Sequence, residues 1–274
     1  MRTWIAAEIL VLLCLAGAAG AEPVERKTMT MAPAAQALAV DGDLADWGEL
    51  PAAPADPNDV TIKPATAVIV LDPQEPDFRG QVWLRWTPER LYAAFRIMDS
   101  SPMRNAGDDP FLAFKSGDTV ELFLCTNPQA DPERPEPEAG DYRIIMTNLR
   151  NTTPVVFAYH PLGNGEPKYV VHPTGAWRTR MDESEVIPDA NFAFKLLPDG
   201  DGYTAEVAIP WQYFPGFAPQ AGMRLPCNWA LNFSDAAGQK NVLKLWWNGP
   251  NTMCNDVPIE MRLGTATWGW VVLG

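Results

Sequence analysis

Acidic side chains on strand-like segments are the first candidates for chemistry in this sequence. Glu121 and Glu206 each lie in a run that alternates apolar and polar residues, and both are expected on the less apolar face of that run. A retaining glycoside hydrolase needs two carboxylates about 5–5.5 Å apart, so these two residues make a β-sandwich glycosidase one hypothesis. The alternative is that each is a solvated or ion-paired strand residue.

Three further carboxylates border the segment 100–107. Asp99, Asp108 and Asp109 carry hard oxygen atoms of the kind that Ca²⁺ binds in proteins. A structural calcium site is therefore a second hypothesis, and a solvated acidic loop is its alternative. No other cofactor is expected.

Motifs of the common enzyme classes are absent from the sequence. There is no G-x-S-x-G, P-loop, G-x-G-x-x-G, H-E-x-x-H or C-x-x-C pattern. His160 and His172 are the only two histidines, which is too few for a three-histidine zinc site. The enzyme classes that carry these motifs are therefore disfavoured.

The segments that must position these residues are short and strand-like. Thirteen such runs are separated by Pro-Asp-Gly, Asn-Gly and Gly-Asp turn sequences, and the 27 prolines disfavour long helices. The pattern predicts an all-β fold, an antiparallel β-sandwich of jelly-roll or immunoglobulin-like type. No internal repeat or break in composition divides the chain, so one domain is expected.

Composition and charge limit the class of partner. The 274 residues are 47% apolar, enough for a full hydrophobic core, and the formal net charge is −13. Nucleic acids and anionic membranes are disfavoured because both need clustered Lys and Arg. Neutral ligands and cations remain open, and a monomer is expected.

The first residues have the pattern of an export signal. Arg2 precedes an apolar run over 9–16, and small residues end in Ala19-Gly20-Ala21, like a cleavage site. This predicts a signal peptide over 1–21, a short tether over 22–36 and a folded domain over 37–274, in a secreted or periplasmic protein. No later segment approaches about 18 consecutive apolar residues, so membrane insertion is not expected.

Cleavage of that leader would remove one of the four cysteines and leave Cys125, Cys227 and Cys254. A disulfide between Cys227 and Cys254 is one interpretation, since both lie in loop-like sequence. Three buried free thiols are the other interpretation.

Six sequence blocks follow one another along the chain: VDGDLADW (40–47), VWLRW (82–86), LYAAFRIMD (91–99), GDTVELFL (117–124), GYTAEVAIPW (202–211) and LNF (231–233). In this order the blocks resemble the family 9 carbohydrate-binding modules and their relatives in the DOMON-like β-sandwich group. The resemblance covers about residues 38–273. It implies an exported, non-catalytic β-sandwich that holds sugars beside glycoside hydrolases, with calcium sites supporting its loops.

The resemblance also implies site residues. The family places a Glu in its Asp-x-Val-Glu strand and an Arg on the following strand, and these positions match Glu121 and Arg143 here. A tryptophan that precedes the Glu strand in the family corresponds to Phe114 or Phe111. The second aromatic of the family's clamp has no counterpart in 251–256. A plain cross-strand ion pair is the alternative for Glu121 and Arg143.

Other tryptophans could supply a stacking surface for a sugar ring. We expect core packing for four of them, and three others are the better candidates for exposed rings. The first set is Trp47, Trp86, Trp211 and Trp246, and the second is Trp83, Trp177 and Trp247. An exposed aromatic beside Glu121 and Arg143 in one concavity would favour a binding module, whereas a covered or wholly apolar face there would count against it.

Two alternatives to a binding module come from outside the glycosidase class. Some members of the same fold group bind b-type haem through a Met and a His or Lys, and an interaction domain without a small ligand is also open. The candidate haem ligands are Met98, Met103, Met146, His160, His172 and Lys195.

Overall fold

The structure is a computed structural model that describes residues 25–50, 60–61, 67–70, 78–101, 103–134, 137–160, 169–171, 178–180, 183–249 and 265–274. Strands dominate this part of the chain, and the one α-helix in it is the single turn α1 (Ala113–Ser116). The strands are β1 (Thr28–Pro33), β2 (Val60–Thr61), β3 (Ala67–Val70), β4 (Arg79–Trp86), β5 (Arg90–Met98), β6 (Thr119–Cys125), β7 (Asp141–Leu149), β8 (Thr153–His160), β9 (Tyr169–Val171), β10 (Arg178–Arg180), β11 (Glu183–Val186), β12 (Asn191–Leu196), β13 (Gly202–Pro210), β14 (Arg224–Ser234), β15 (Asn241–Trp246) and β16 (Gly269–Leu273).

Most of these strands form one sheet in the order β11-β8-β7-β6-β14-β16-β1-β4-β5-β13-β12, while β15 joins β14 and β2 joins β4. The sheet curls, and its two halves pack against each other across the main core. Val82 and Phe95 enter that core from one half, and Leu122 and Trp229 from the other, all buried. The predicted all-β sandwich is confirmed.

Strand β1 connects the two halves and pairs in parallel with both neighbours. Thr28 to Met31 align with β16, and Met31 to Pro33 align with β4. Residues 28–33 lie within the segment predicted as a tether, so that prediction is corrected by this strand. Met29 and Met31 bury their side chains in the core, which explains why an alanine-rich, polar segment is ordered.

The outer face of each half is covered as well. Strand residues alternate between the main core and a second apolar cluster on the far side of the same half. Outside β4, β5 and β13, that cluster contains Trp47, Trp83 and Tyr92. Outside β6, β14 and β15, it contains Phe123 and Trp246.

The Asp-Gly turn at the start of the predicted domain rests on β13. Glu206 accepts hydrogen bonds from the Trp47 indole N–H (2.6 Å) and from the backbone N–H of Gly42 (2.7 Å) and Asp41 (3.1 Å). Gly42 has φ +81°, and a Cβ there would lie 2.7 Å from the carbonyl carbon of Phe194. Only glycine fits this contact.

Two of the cysteines lie within the described residues. Cys125 and Cys227 are both buried and form no disulfide with each other or with another described residue. Cys254 lies outside the described residues, so the Cys227–Cys254 disulfide stays a prediction. Burial raises the pKa of Cys125 to about 12, with nearby Asp141 adding to the shift. Both thiols are therefore unreactive at neutral pH.

Within the described ranges, no helix is both long enough and apolar enough to cross a bilayer.

Candidate functional site

Glu121 and Arg143 meet on the outer face of β6 and β7. In the antiparallel register Phe123 lies opposite Arg143, which places Glu121 on the diagonal. Arg143 Nε donates to Glu121 Oε2 and Nη2 to Oε1, both at 2.9 Å. This is the bidentate geometry that a guanidinium forms with a carboxylate. The structure thus brings together the two polar residues that the family resemblance singles out.

Lys244 and Asn232 complete the cluster and were missed by the sequence reasoning. Lys244 Nζ lies 3.1 Å from both carboxylate oxygens of Glu121. Asn232 Nδ2 donates to Glu121 Oε1 and to Thr119 Oγ1. The available signal was a lone lysine between Leu243 and Leu245, since a charge in an apolar strand needs a partner.

The cluster is closed to solvent. Glu121 is 0%, Arg143 1% and Lys244 0% exposed. Burial alone would raise the pKa of Glu121, but Arg143 and Lys244 outweigh it and lower that pKa to about 2. Glu121 is therefore ionised throughout the physiological range and cannot serve as a proton donor there.

Aromatic rings surround the Arg143 guanidinium. Its central carbon lies 4.5 Å from the ring centroid of Phe114, 5.6 Å from that of Phe123 and 5.8 Å from that of Tyr159. The Tyr159 hydroxyl donates to the Pro110 carbonyl at 3.2 Å, which ties the Phe114 segment to β8. Phe114 is 0% exposed, so its ring offers no open stacking surface in this structure, and its role in sugar binding stays a prediction.

The tryptophans predicted to be exposed are also corrected where they are described. Trp83 is 8% exposed beneath the loop that carries Leu38 and Leu44, and Trp247 is 0% exposed in the main core. A Cβ on Gly269 would lie 2.5 Å from the Trp247 ring, so this glycine makes room for it. Trp177 lies outside the described residues.

The two neighbouring tryptophans at the end of β15 point to opposite faces of the sheet, but neither ring is exposed. Trp246 points to the outer cluster with Phe123 and Trp268, and the next residue, Trp247, points to the main core. Both rings are buried because the outer face has its own covering layer. The expected exposed aromatic beside Glu121 and Arg143 is therefore not found among the described residues.

The two glutamates of the glycosidase hypothesis lie on opposite sides of the sandwich. Glu121 shares the outer face of β6 with Phe123, and Glu206 shares the outer face of β13 with Ala208. The main core separates these faces. Each carboxylate is held by internal donors, so the pair cannot flank one glycosidic bond.

No set of side chains in the described ranges is arranged to bind calcium. Asp99 is buried at the end of β5 and accepts the Ser101 N–H at 2.8 Å, whereas Asp108 and Asp109 are exposed. No three His, Cys, Asp or Glu side chains in the described part of the chain come together as a metal site, and these three are no exception. Calcium binding stays a prediction.

A different buried carboxylate lies beside Asp99. Asp118 accepts the backbone N–H of Arg104 and of Ser234, each at 2.6 Å, and is 0% exposed. Burial, and then the negative charge of Asp99, raise the pKa of Asp118 to about 8. The same two charges add to burial in raising the pKa of Tyr203.

The haem hypothesis gains no support from its described ligand candidates. Met103 and Met146 are core residues, and Lys195 pairs with Asp43 at 2.8 Å. His160 stacks on Tyr142 with a 5.1 Å centroid separation. Met98 is half-buried, and His172 lies outside the described residues.

Comparison with known proteins gives structural relatives only. No protein-family model matches the chain, and no curated protein matches it. Two solved structures are similar over 90% of this chain: a family 9 carbohydrate-binding module from Caldicellulosiruptor kristjanssonii with glucose (16% identity, TM-score 0.53, 96% of that chain) and one with cellotriose (16%, 0.55, 93%). A structure from Bacteroides uniformis ATCC 8492 is similar over 91% of this chain and 100% of its own (13%, 0.50). The chain therefore has the β-sandwich fold of the family 9 carbohydrate-binding modules.

Proposed function

We propose that this chain is an exported, non-catalytic protein that binds carbohydrate and supports glycan degradation. The observation that carries the proposal is the Glu121–Arg143–Lys244 cluster on a sandwich whose relatives were solved with glucose and cellotriose. Carboxylate, guanidinium, ammonium and amide groups are the ones that take sugar hydroxyls. The apolar run over 9–16 behind Arg2 supports export.

Enclosure of the cluster sets a condition on binding. Phe114 lies over Arg143, so a sugar reaches the charged groups only after the turn α1 and its ring move aside. Such a movement would break the hydrogen bonds that the Phe114 and Pro110 carbonyls accept from Asn241 and Tyr159. Ligand binding is therefore expected to increase the solvent exposure of this segment.

The test is affinity electrophoresis and calorimetry of the mature chain with glucose, cellotriose and a panel of neutral oligosaccharides. Simple removal of Glu121 would leave two buried cations unpaired and could unfold the protein. The double variant Glu121→Gln/Lys244→Met avoids this, because it removes one charge of each sign and leaves the net charge of the cluster unchanged. Lys240→Met, at an exposed lysine, is the matched control.

We expect the wild type and the control to bind alike, and the double variant to bind about tenfold more weakly or worse. Thermal melts of all three proteins check that they are folded. Equal binding by the double variant would remove the site assignment, and no binding to any sugar by the wild type would contradict the proposed function. A sensitive assay for released sugar should detect no hydrolysis.

A further inference from the structure

A cavity of about 260 Å³ lies on the outer face of β4 and β5, on the other half of the sandwich from Glu121. Its lining includes Arg79, Gln81 and Arg96 from the two strands. Met98 and Leu197 provide apolar wall. The volume is several times the roughly 30 Å³ that a water molecule occupies in the liquid, so it has room for a small polyatomic ligand.

The strand register brings the donors of this cavity together. Gln81 lies directly opposite Arg96, and Arg79 lies opposite Met98. Arg79 and Gln81 are two residues apart on β4, so they share a face, as do Arg96 and Met98 on β5. The two arginine side chains and the Gln81 amide therefore lie on one face of the strand pair and line the same cavity.

None of these donors has a partner within the described part of the chain. Gln81 is 4% exposed, and its Nε2 is buried without a hydrogen-bond acceptor. Among the same residues, the side chains of Arg79 and Arg96 form neither a hydrogen bond nor a salt bridge, although Asp199 also lines the cavity. A buried unpaired amide and two neighbouring like charges both cost free energy, which an anion in the cavity would recover.

We propose that this cavity is an oxyanion site that takes the carboxylate or sulfate group of a small ligand. Arginine forks match the two oxygens of such a group, and the Gln81 amide adds a third donor. Asp199 can accept hydrogen bonds from hydroxyl groups on the same ligand, and Met98 and Leu197 can pack against a ring. The site would thus suit a uronate sugar, and it does not depend on neutral sugar binding at Glu121.

The test is calorimetry of the full mature chain at low ionic strength with glucuronate, sulfate and, as the uncharged counterpart of glucuronate, glucose. The variants are Arg79→Gln and Arg96→Gln, both at positions with solvent access, so folding should be kept. Arg150→Gln, at an exposed arginine in the turn after β7, is the matched control.

We expect glucuronate to bind the wild type and the control alike, and each cavity variant about tenfold more weakly or worse. Tighter binding of glucuronate than of sulfate would identify an acidic sugar as the ligand, and equal binding would identify a simple oxyanion. Absence of binding by both anions, or unchanged binding in Arg79→Gln and Arg96→Gln, would overturn the proposal. The Glu121→Gln/Lys244→Met variant should bind glucuronate normally, so failure of the neutral sugar site would be seen separately.

A second variant tests the cavity from inside. Gln81→Glu has almost the same shape and places a carboxylate between the two guanidinium groups. We expect this internal anion to abolish binding of glucuronate and sulfate and to raise the melting temperature. Wild-type affinity in a folded Gln81→Glu protein would also contradict the proposal.

Discussion

At the scale of single residues, the buried acid pair Asp99 and Asp118 gives the fold a dependence on pH. A carboxyl group whose pKa rises from 3.8 in the unfolded chain to about 8 in the folded one binds its proton more tightly when folded. The free energy of unfolding therefore falls as the pH rises from about 4 to about 8, and no further loss follows above that range.

Replacement of Asp99 by Asn tests this relation. The Asn side chain keeps an oxygen for the Ser101 N–H but removes the charge that raises the pKa of Asp118. We expect the wild type to lose at least about 1.4 kcal/mol between pH 5 and pH 8, the equivalent of a tenfold change in proton affinity. Asp99→Asn should lose less than the wild type but still show a loss, because burial, the larger cause of the raised pKa of Asp118, remains. Urea unfolding at several pH values measures both.

An exposed acid provides the control for that experiment. Asp108→Asn removes a carboxylate of the same loop that lies in solvent, and it should unfold with the pH profile of the wild type. Glu206 also has a pKa raised by burial, but its contribution is common to all three proteins and cancels in the comparison. Identical profiles for wild type and Asp99→Asn would contradict the assigned coupling.

Residue types alone predicted only part of the candidate site. Glu121 and Arg143 were singled out by the resemblance to the family 9 modules, and strand alternation only placed them on the less apolar face. Lys244 could not, because its partner lies 123 residues away and depends on β15 pairing with β14. Burial of Phe114 and Trp83 was missed for another reason: alternation tells which face a side chain takes, but it does not tell whether a loop covers that face.

At the scale of elements, β1 is the strand that could not be predicted from its local sequence. Its partners, β4 and β16, lie about 50 and 240 residues further along the chain, and both pairings are parallel. Parallel pairing has no hairpin turn to mark it in the sequence. The strands joined by short turns, such as β4 with β5, were predicted correctly because their register is local.

Two neighbouring substitutions in β1 distinguish a strand from a tether. Met31 is fully buried, so Met31→Ala should lower the free energy of unfolding by about 2–4 kcal/mol. Thr30 is exposed one residue earlier, and Thr30→Ala should change it by less than about 0.5 kcal/mol. Denaturant unfolding of both variants gives the comparison. If both substitutions left the free energy of unfolding unchanged, residues 28–33 would not belong to the sheet.

At the scale of the whole molecule, the sandwich keeps its two polar centres apart. On one outer face Glu206 accepts hydrogen bonds from the Asp-Gly turn, and on the other Lys244 pairs with Glu121. The main apolar core lies between these two faces. Substitutions at distant sites without shared partners should add in free energy. The separation can therefore be measured by a double-mutant cycle.

We expect Glu206→Ala and Lys244→Met each to destabilise the fold, since the first removes three hydrogen bonds and the second leaves Glu121 with one fewer cation. The double variant should lose the sum of the two effects within about 0.5 kcal/mol. Lys244→Met with Asn232→Ala is the contrasting pair, because both side chains contact Glu121, and it should depart from additivity by more than that. Strong coupling between Glu206 and Lys244 would mean that the two outer faces are energetically linked. The hypothesis that Glu121 and Glu206 act at one site would then have to be considered again.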